Sequence, residues 1–148
     1  MAGNAVGYVA KCGGALAKSD VFTASTAVNG VGVDTTGFTH ATGVFTLGTV
    51  ANVASSTLTL KVQESDDDST YADITGATSG ALTTAAGTYS KATVVIVVNL
   101  LSGSRKRYVR VVALPSAHAV DVDVAGMVAL TEGDASVPTA TTYLRVNV

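Results

Sequence analysis

The alternation of apolar and polar residues in several short segments constrains the fold of this chain more than any other feature. Within Thr57–Gln63, the apolar side chains of Leu58, Leu60 and Val62 fall on one side of an extended chain, and polar side chains fall on the other. The same period of two recurs in Val120–Val124 and Tyr143–Val148. This pattern is typical of half-buried β-strands, and no window shows a convincing helical repeat, so the sequence predicts an all-β protein.

Turn residues between the segments predict how the strands pair. Gly43–Val50 is expected to pair with Thr57–Gln63 across the intervening loop. The continuous apolar run Thr93–Val98 is typical of a strand buried on both faces, and it is expected to form a hairpin with Lys106–Leu114. Ala119–Ala125 is then expected to pair back onto Lys106–Leu114 as a meander. Gly126, which interrupts the next strand-like stretch, predicts a bulge or bend.

The length of the chain, 148 residues, is that of one domain. We predict an antiparallel β-sandwich or jelly roll over residues 20–148. Residues 1–19 contain few large apolar side chains and are predicted to be an extended amino-terminal arm, which orders against a partner and is dispensable for the core. The alternative is a first edge strand around Tyr8–Ala10. The predicted core is Leu58, Leu60, Val62, Val94, Ile96, Val98, Val109, Val111, Val122, Leu144 and Val146.

Charged residues make up only 14% of the chain, against about 25% in an average domain. Either another protein covers part of the surface, or Thr, Ser and Gly coat a free β protein. The net charge of −2 gives no positive field for binding nucleic acid. The single cysteine, Cys12, and the absence of a signal peptide or an apolar membrane span predict synthesis in a cytoplasm.

Several residues could carry chemistry, but none has the partners that the chemistry needs. These are the histidines His40 and His118, the thiol of Cys12, the acidic run Glu64, Asp66, Asp67, Asp68 and Asp73, and the pair Asp121 and Asp123. Neither histidine has a second ligand at metal spacing, and the acidic run lacks the calcium-loop pattern. It is expected to be a solvated, self-repelling loop. Asp121 and Asp123 lie about 7 Å apart on one face of a predicted strand. Two carboxylates at this distance could suit a glycosidase, but alternating aspartates are more typical of a solvent-exposed strand face. We predict no catalytic residues, no cofactor and no metal.

The only basic cluster is formed by Arg105, Lys106, Arg107 and Arg110. One interpretation is that these charges protect a strand edge from pairing with other proteins. The other is that they contact an acidic patch on a neighbouring protein. For that contact the period of two predicts Lys106 and Arg110 as the interface pair, with Arg107 secondary.

Two segments of the chain resemble a known class of proteins. Leu60–Ile74 contains a strand, an acidic turn and a second strand, and Lys106–Val112 is a basic strand. The combination is similar to small structural proteins of tailed bacteriophages, the capsid decoration or cement proteins. The resemblance covers roughly residues 57–130. It implies a β-sandwich or jelly-roll module that docks on the major capsid protein of an assembled shell, often as a homotrimer, and it brings no catalytic residues.

We therefore expect a non-enzymatic virion protein, made in the host cytoplasm and located on the capsid surface. Many modest contacts add up when a small module docks repeatedly on a symmetric lattice. The alternative is a carbohydrate- or receptor-binding sandwich, such as a tail-fibre or adhesin domain. Sugar sites usually present exposed aromatic side chains, and this chain has no Trp and few aromatic residues. Tyr71, Tyr89 and Tyr143 are the candidates for such a site.

Overall fold

The computed structural model of the protein describes residues 10–22, 25–50, 56–83, 89, 91–116, 120–132 and 140–146. These residues form β-strands and no helix, which confirms the all-β prediction. The strands are β1 (Ala10–Phe22), β2 (Val28–Asn29), β3 (Val33–Asp34), β4 (His40–Val50), β5 (Thr57–Ser65), β6 (Ala72–Thr83), β7 (Ala92–Asn99), β8 (Tyr108–Pro115), β9 (Val120–Thr131) and β10 (Ala140–Val146).

The strands form two antiparallel sheets that pack face to face as a β-sandwich. The first sheet has the order β1-β9-β4-β7-β10, and the second has the order β2-β8-β5-β6, with β3 also paired to β8. Apolar side chains from both sheets meet between them in one core. The predicted sandwich is therefore confirmed.

The period of two in the sequence becomes an alternation of burial along each strand. In β5 and β7, every second side chain points into the core and is almost completely buried. Nine of the predicted core residues are confirmed, each at most 2% exposed: Leu58, Leu60, Val62, Val94, Ile96, Val98, Val109, Val111 and Val122. The side chains of Leu144 and Val146 lie outside the part of the chain that the structure describes.

The predicted strand pairings are wrong. β4 pairs with β7 and β9 rather than with β5, and β5 pairs with β6 and β8. β7 and β8 do not form a hairpin, because they belong to different sheets, and β9 pairs with β1 and β4 rather than with β8. The physical reason is that the chain crosses from one sheet to the other at these connections. Even the four residues between β8 and β9 span up to about 13 Å, more than the roughly 10 Å between packed sheets.

The strand β7 is also not buried on both faces as predicted. Its inward residues are completely buried, whereas Thr93, Val95 and Val97 point to the outer side of the first sheet and are only half-buried. In this antiparallel sandwich the outer side has no covering layer among the described residues, so a central strand keeps one apolar face towards solvent.

The bulge that was predicted at Gly126 of β9 is found instead on the neighbouring strand, β1. The register of β1 against β9 shifts between Gly13 and Leu16, opposite Val128 and Gly126. Gly126 itself leaves room for a core side chain, because a Cβ there would stand 3.0 Å from Cδ1 of Phe45. A bulge adds a residue to one strand and increases the local twist, which suits the edge position of β1.

The segment predicted to be an arm differs from the prediction from Ala10 onward. Residues 10–22 form β1 and pair with β9, and Leu16 is 3% exposed in the core. Residues 1–9 lie outside the described part of the chain. The small residues serve close approach rather than flexibility, because a Cβ on Gly14 would stand 2.7 Å from the carbonyl oxygen of Val31.

Candidate protein-interaction surfaces

The predicted basic cluster lies at one end of the second sheet, together with most of the acidic run. We call this region the charged end; it comprises Asp34, Glu64, Asp66, Asp67, Asp68, Tyr71, Arg105, Lys106, Arg107 and Arg110. The residues come from β3, the end of β5, the 66–71 connection, residues 105–107 before β8, and β8 itself. The antiparallel pairing of β5 with β8 brings these segments together, since Ser65 lies opposite Tyr108.

Each of the three cations that precede β8 has an acidic partner within the chain. Arg105 Nη1 lies 3.6 Å from Glu64 Oε2, and the other two cations form closer and more exposed pairs. Lys106 Nζ lies 3.0 Å from Asp66 Oδ2, and Arg107 Nη2 lies 2.7 Å from Asp34 Oδ2. The hydrogen bond from Arg107, with others from Thr36, holds the pKa of Asp34 well below its ordinary value. The same pairing raises the pKa of Arg107. The Lys106–Asp66 and Arg107–Asp34 pairs are both exposed to water, which screens them, so they add little to the stability of the fold.

Arg110 is held by polar and aromatic contacts on the outer side of the second sheet. Its guanidinium donates to Gln63 Oε1 through Nε at 3.0 Å and Nη2 at 2.8 Å, and it stacks 4.0 Å from the centre of the Tyr71 ring. Gln63 in turn donates to Asp73, which also pairs with Lys61. The hydrogen bonds from Lys61 and Gln63 lower the pKa of Asp73.

The acidic run forms an ordered bend rather than the self-repelling loop that was predicted. Asp67 accepts hydrogen bonds from the backbone amides of Thr70 and Ser69 and from the hydroxyl of Ser65. These donors, the Thr70 amide first, hold the pKa of Asp67 well below its ordinary value. Asp68 accepts from the Tyr71 hydroxyl. The pKa of Tyr71 is raised, by burial first and then by this contact.

The charged end is therefore a rigid patch of alternating charges rather than a basic surface. Lys106, Arg107 and Arg110, the predicted interface residues, lie together on it, but each is engaged by a partner within the chain. An acidic patch on another protein would have to compete with these contacts. Their use as an interface stays a prediction.

The other candidates for chemistry are scattered in the structure. His40 is the first residue of β4, rather than a loop residue, and is buried with Nδ1 3.0 Å from Thr39 Oγ1. Cys12 is exposed on β1, two strands from His40 and about 12 Å away by strand spacing and rise. Asp123 is exposed on β9. Neither His118 nor the side chain of Asp121 belongs to the described part, and within that part no three metal-binding side chains cluster.

A second surface, which the sequence analysis did not identify, is the outer side of the first sheet. We call it the uncharged face. On the three central strands β9, β4 and β7, three successive rows of outward residues carry no charge, whereas on the edge strand β10 the register places Arg145 beside Thr93. The rows consist of Ala125, Thr46 and Thr93; Met127, Val44 and Val95; and Ala129, Thr42 and Val97.

The uncharged face is apolar and open. Met127 is 45% exposed at its centre, and a shallow pocket of about 140 Å³ lies beside it, lined by Val44, Thr46 and Ala125 among others. The signal for this face was present in the sequence as the apolar run Thr93–Val98. The run was interpreted as buried within the domain, whereas half of it points outward.

Neither the models of known protein families nor the curated proteins contain a match to this chain. Among the described residues, no helix is long and apolar enough to cross a membrane.

Proposed function

We propose that this protein is a structural component of a bacteriophage virion that docks on the assembled capsid shell and stabilises it. The observation that carries the proposal is the uncharged face. A strand in a sheet with one solvent-exposed side normally alternates apolar residues that point inward with polar residues that point outward. An apolar patch on the outer side therefore marks a site of contact with another protein. The sequence resemblance to decoration proteins supplies the class of partner, the major capsid protein.

The distribution of charge supports a role in protein contact. Six acidic and five basic side chains lie around the charged end and the adjoining Lys61–Asp73 pair, whereas the three rows of the uncharged face carry no charge on β9, β4 and β7. Apolar contact with a shell protein needs such a desolvated centre, and the charged end lies on the other sheet, away from it. The uncharged face and the charged end therefore suit contacts with different neighbours in one assembly.

The alternative, a carbohydrate- or receptor-binding module, has less support from the side chains. Of the three candidate tyrosines, Tyr71 has one ring face covered by Arg110, and Tyr89 packs against the core. The side chain of Tyr143 lies outside the described residues. A larger pocket of about 390 Å³ on the second sheet has no aromatic side chain in its lining. Saturable binding on a glycan array would favour this alternative.

Mass spectrometry of purified virions tests the proposal. We expect the protein as a stoichiometric component, present in a fixed ratio to the major capsid protein. Its absence from particles of the virus that encodes it would contradict the proposal.

The charged end can be tested separately as a second docking surface. In the double variant Lys106→Glu and Arg110→Glu, slower binding to empty shells at low salt, but not at high salt, would support the predicted interface. Lys61→Glu is the matched control, since it also breaks an ion pair on the outer side of the second sheet but lies outside the predicted interface. Unchanged, salt-independent binding would show that these charges only protect a strand edge.

A further inference from the structure

We infer that Lys91 and Asp123 orient this protein on the shell, by contacting charges of opposite sign on the shell protein. The inference rests on the proposed function, in which the uncharged face docks on that protein, and it names the chemistry of the partner surface. Two observations carry it: the positions of the two charges at one rim of the face, and their lack of ion-pair partners within the described part of the chain.

Lys91 and Asp123 lie in one row across the first sheet, immediately beyond the uncharged face. The backbone amide of Lys91 donates to the Gly48 carbonyl at 2.9 Å, and a Cβ on Gly48 would stand 2.8 Å from Cβ of Asp123. Gly48 lies two residues after Thr46 on β4, so it is in the next row on the same side of the sheet. Asp123 likewise lies two residues before Ala125 on β9. This row is therefore one rim of the uncharged face.

Both charges are available to a partner. Lys91 and Asp123 are exposed, and Gly48 between them has no side chain that could cover either. The strands β7 and β9 are two strand spacings apart, about 10 Å, because β4 lies between them. Among the described residues neither charge forms an ion pair, in contrast to the cations of the charged end. A partner can therefore meet both charges without breaking an ion pair within the chain.

The opposite end of the uncharged face has no such pair of charges on the three central strands. The row at that end consists of Thr131, His40 and Asn99, and the last two are buried. A half-turn of the domain about the normal to the sheet would exchange the two ends. The shell charges that match Asp123 and Lys91 would then face Asn99 and Thr131, neither of which carries a charge. The rim therefore distinguishes the two arrangements, because only one of them pairs the shell charges.

The sign of the charge differs between the two sides of the rim. On one side β9 carries Asp123, and Asp121 lies two residues before it on the same strand. On the other side Lys91 precedes β7, and the register places Arg145 of β10 beside Thr93. The shell surface that fits this rim is apolar at its centre, with a basic side chain opposite β9 and an acidic side chain opposite the start of β7.

Exchange of the two charges tests the inference with the full chain and empty shells of the virus that encodes it. The double variant Lys91→Asp and Asp123→Lys keeps the net charge of −2 but reverses the signs along the rim. We expect this variant to bind shells about tenfold more slowly at low salt, because each charge then meets its like. The difference should shrink at high salt, which screens exposed charges. Circular dichroism should show a folded variant, since both residues are exposed.

The double variant Lys61→Asp and Asp73→Lys is the matched control. It makes the same two replacements on the outer side of the second sheet, where the ion pair re-forms in reverse, and it should bind shells as fast as the unchanged protein. Three results would overturn the inference: unchanged binding by the rim variant, an equal loss in the control, or a loss that is as large at high salt. In each of these cases the unchanged protein still binds shells, so the proposed function stands. An unchanged protein that binds no shells contradicts the proposed function, and the inference with it.

Discussion

Replacement of Ile96 by alanine tests the assignment of inner and outer residues on β7. Ile96 is completely buried, and it lies between Gly43 of β4 and Thr142 of β10 in the first sheet. The two sheets are in close contact here, because a Cβ on Gly43 would stand 2.8 Å from Cγ2 of Val62. At such a tightly packed site, the surrounding side chains cannot move far enough to fill the cavity that a smaller side chain would leave.

The expected loss of unfolding free energy follows from the number of atoms that the substitution removes. Ile96→Ala deletes three carbon groups, worth about 2.4 kcal/mol of transfer free energy at roughly 0.8 each. The remaining cavity brings the expected loss of unfolding free energy to about 3–4 kcal/mol, inside the usual range of about 2–5. For a chain of this size, the melting temperature should fall by about 6–16 °C.

Urea denaturation of the two variants measures the loss directly. Val95→Ala is the matched control, because Val95 is the next residue on the same strand and points outward, half-buried. Val95→Ala should cost under about 1 kcal/mol of unfolding free energy. A loss below about 0.5 kcal/mol for Ile96→Ala, or equal losses for the two variants, would refute the assignment.

Three further predictions address the core, the acidic bend and the first strand. Gly126→Val should destabilise the domain by about 1–3 kcal/mol in urea denaturation, because its side chain would press on Phe45, whereas Ala125→Val on the exposed side should not. The lowered pKa of Asp67 means that its stabilisation is present above the unfolded pKa, near 4, and is lost as the pH falls through the folded value. Asp67→Asn should therefore reduce stability at pH 7 and flatten its decline in acid, and an unchanged pH profile would contradict the assigned hydrogen bonds. Deletion of residues 1–19 should lower the melting temperature, since it removes the buried Leu16 and the neighbour of β9; a core of unchanged stability would restore the arm prediction.

The sequence predicted the core-facing side chains of β5, β7 and β8 well because these depend on local periodicity, whereas β1 was predicted to be an arm and the outer side of β7 to be buried. A side chain such as Leu60 or Val111 reaches the core whichever strand lies beside it, provided that the segment is extended. The pairings depend instead on where each connection leads. Nothing in residues 100–107, for example, distinguishes a hairpin from a crossing to the other sheet.

The contacts of the charged end were beyond sequence reasoning for the same reason. Arg110 meets Gln63 and Tyr71 because β8 lies beside β5, a pairing between segments far apart in the chain. The hydrogen bonds of Asp67, by contrast, come from residues within three positions of it. Their Ser-Asp-Asp-Asp-Ser-Thr sequence is typical of a bend in which carboxylates accept backbone amides.

Sedimentation of the purified protein with empty shells of the virus that encodes it tests the central claim most directly. The account predicts that the protein sediments with the shells and that binding saturates at a fixed ratio to the major capsid protein, since a symmetric lattice offers a fixed number of equivalent sites. Electron microscopy of the saturated shells should show added density at regular positions. A protein that remains in the supernatant, or that binds without saturation, would contradict the claim.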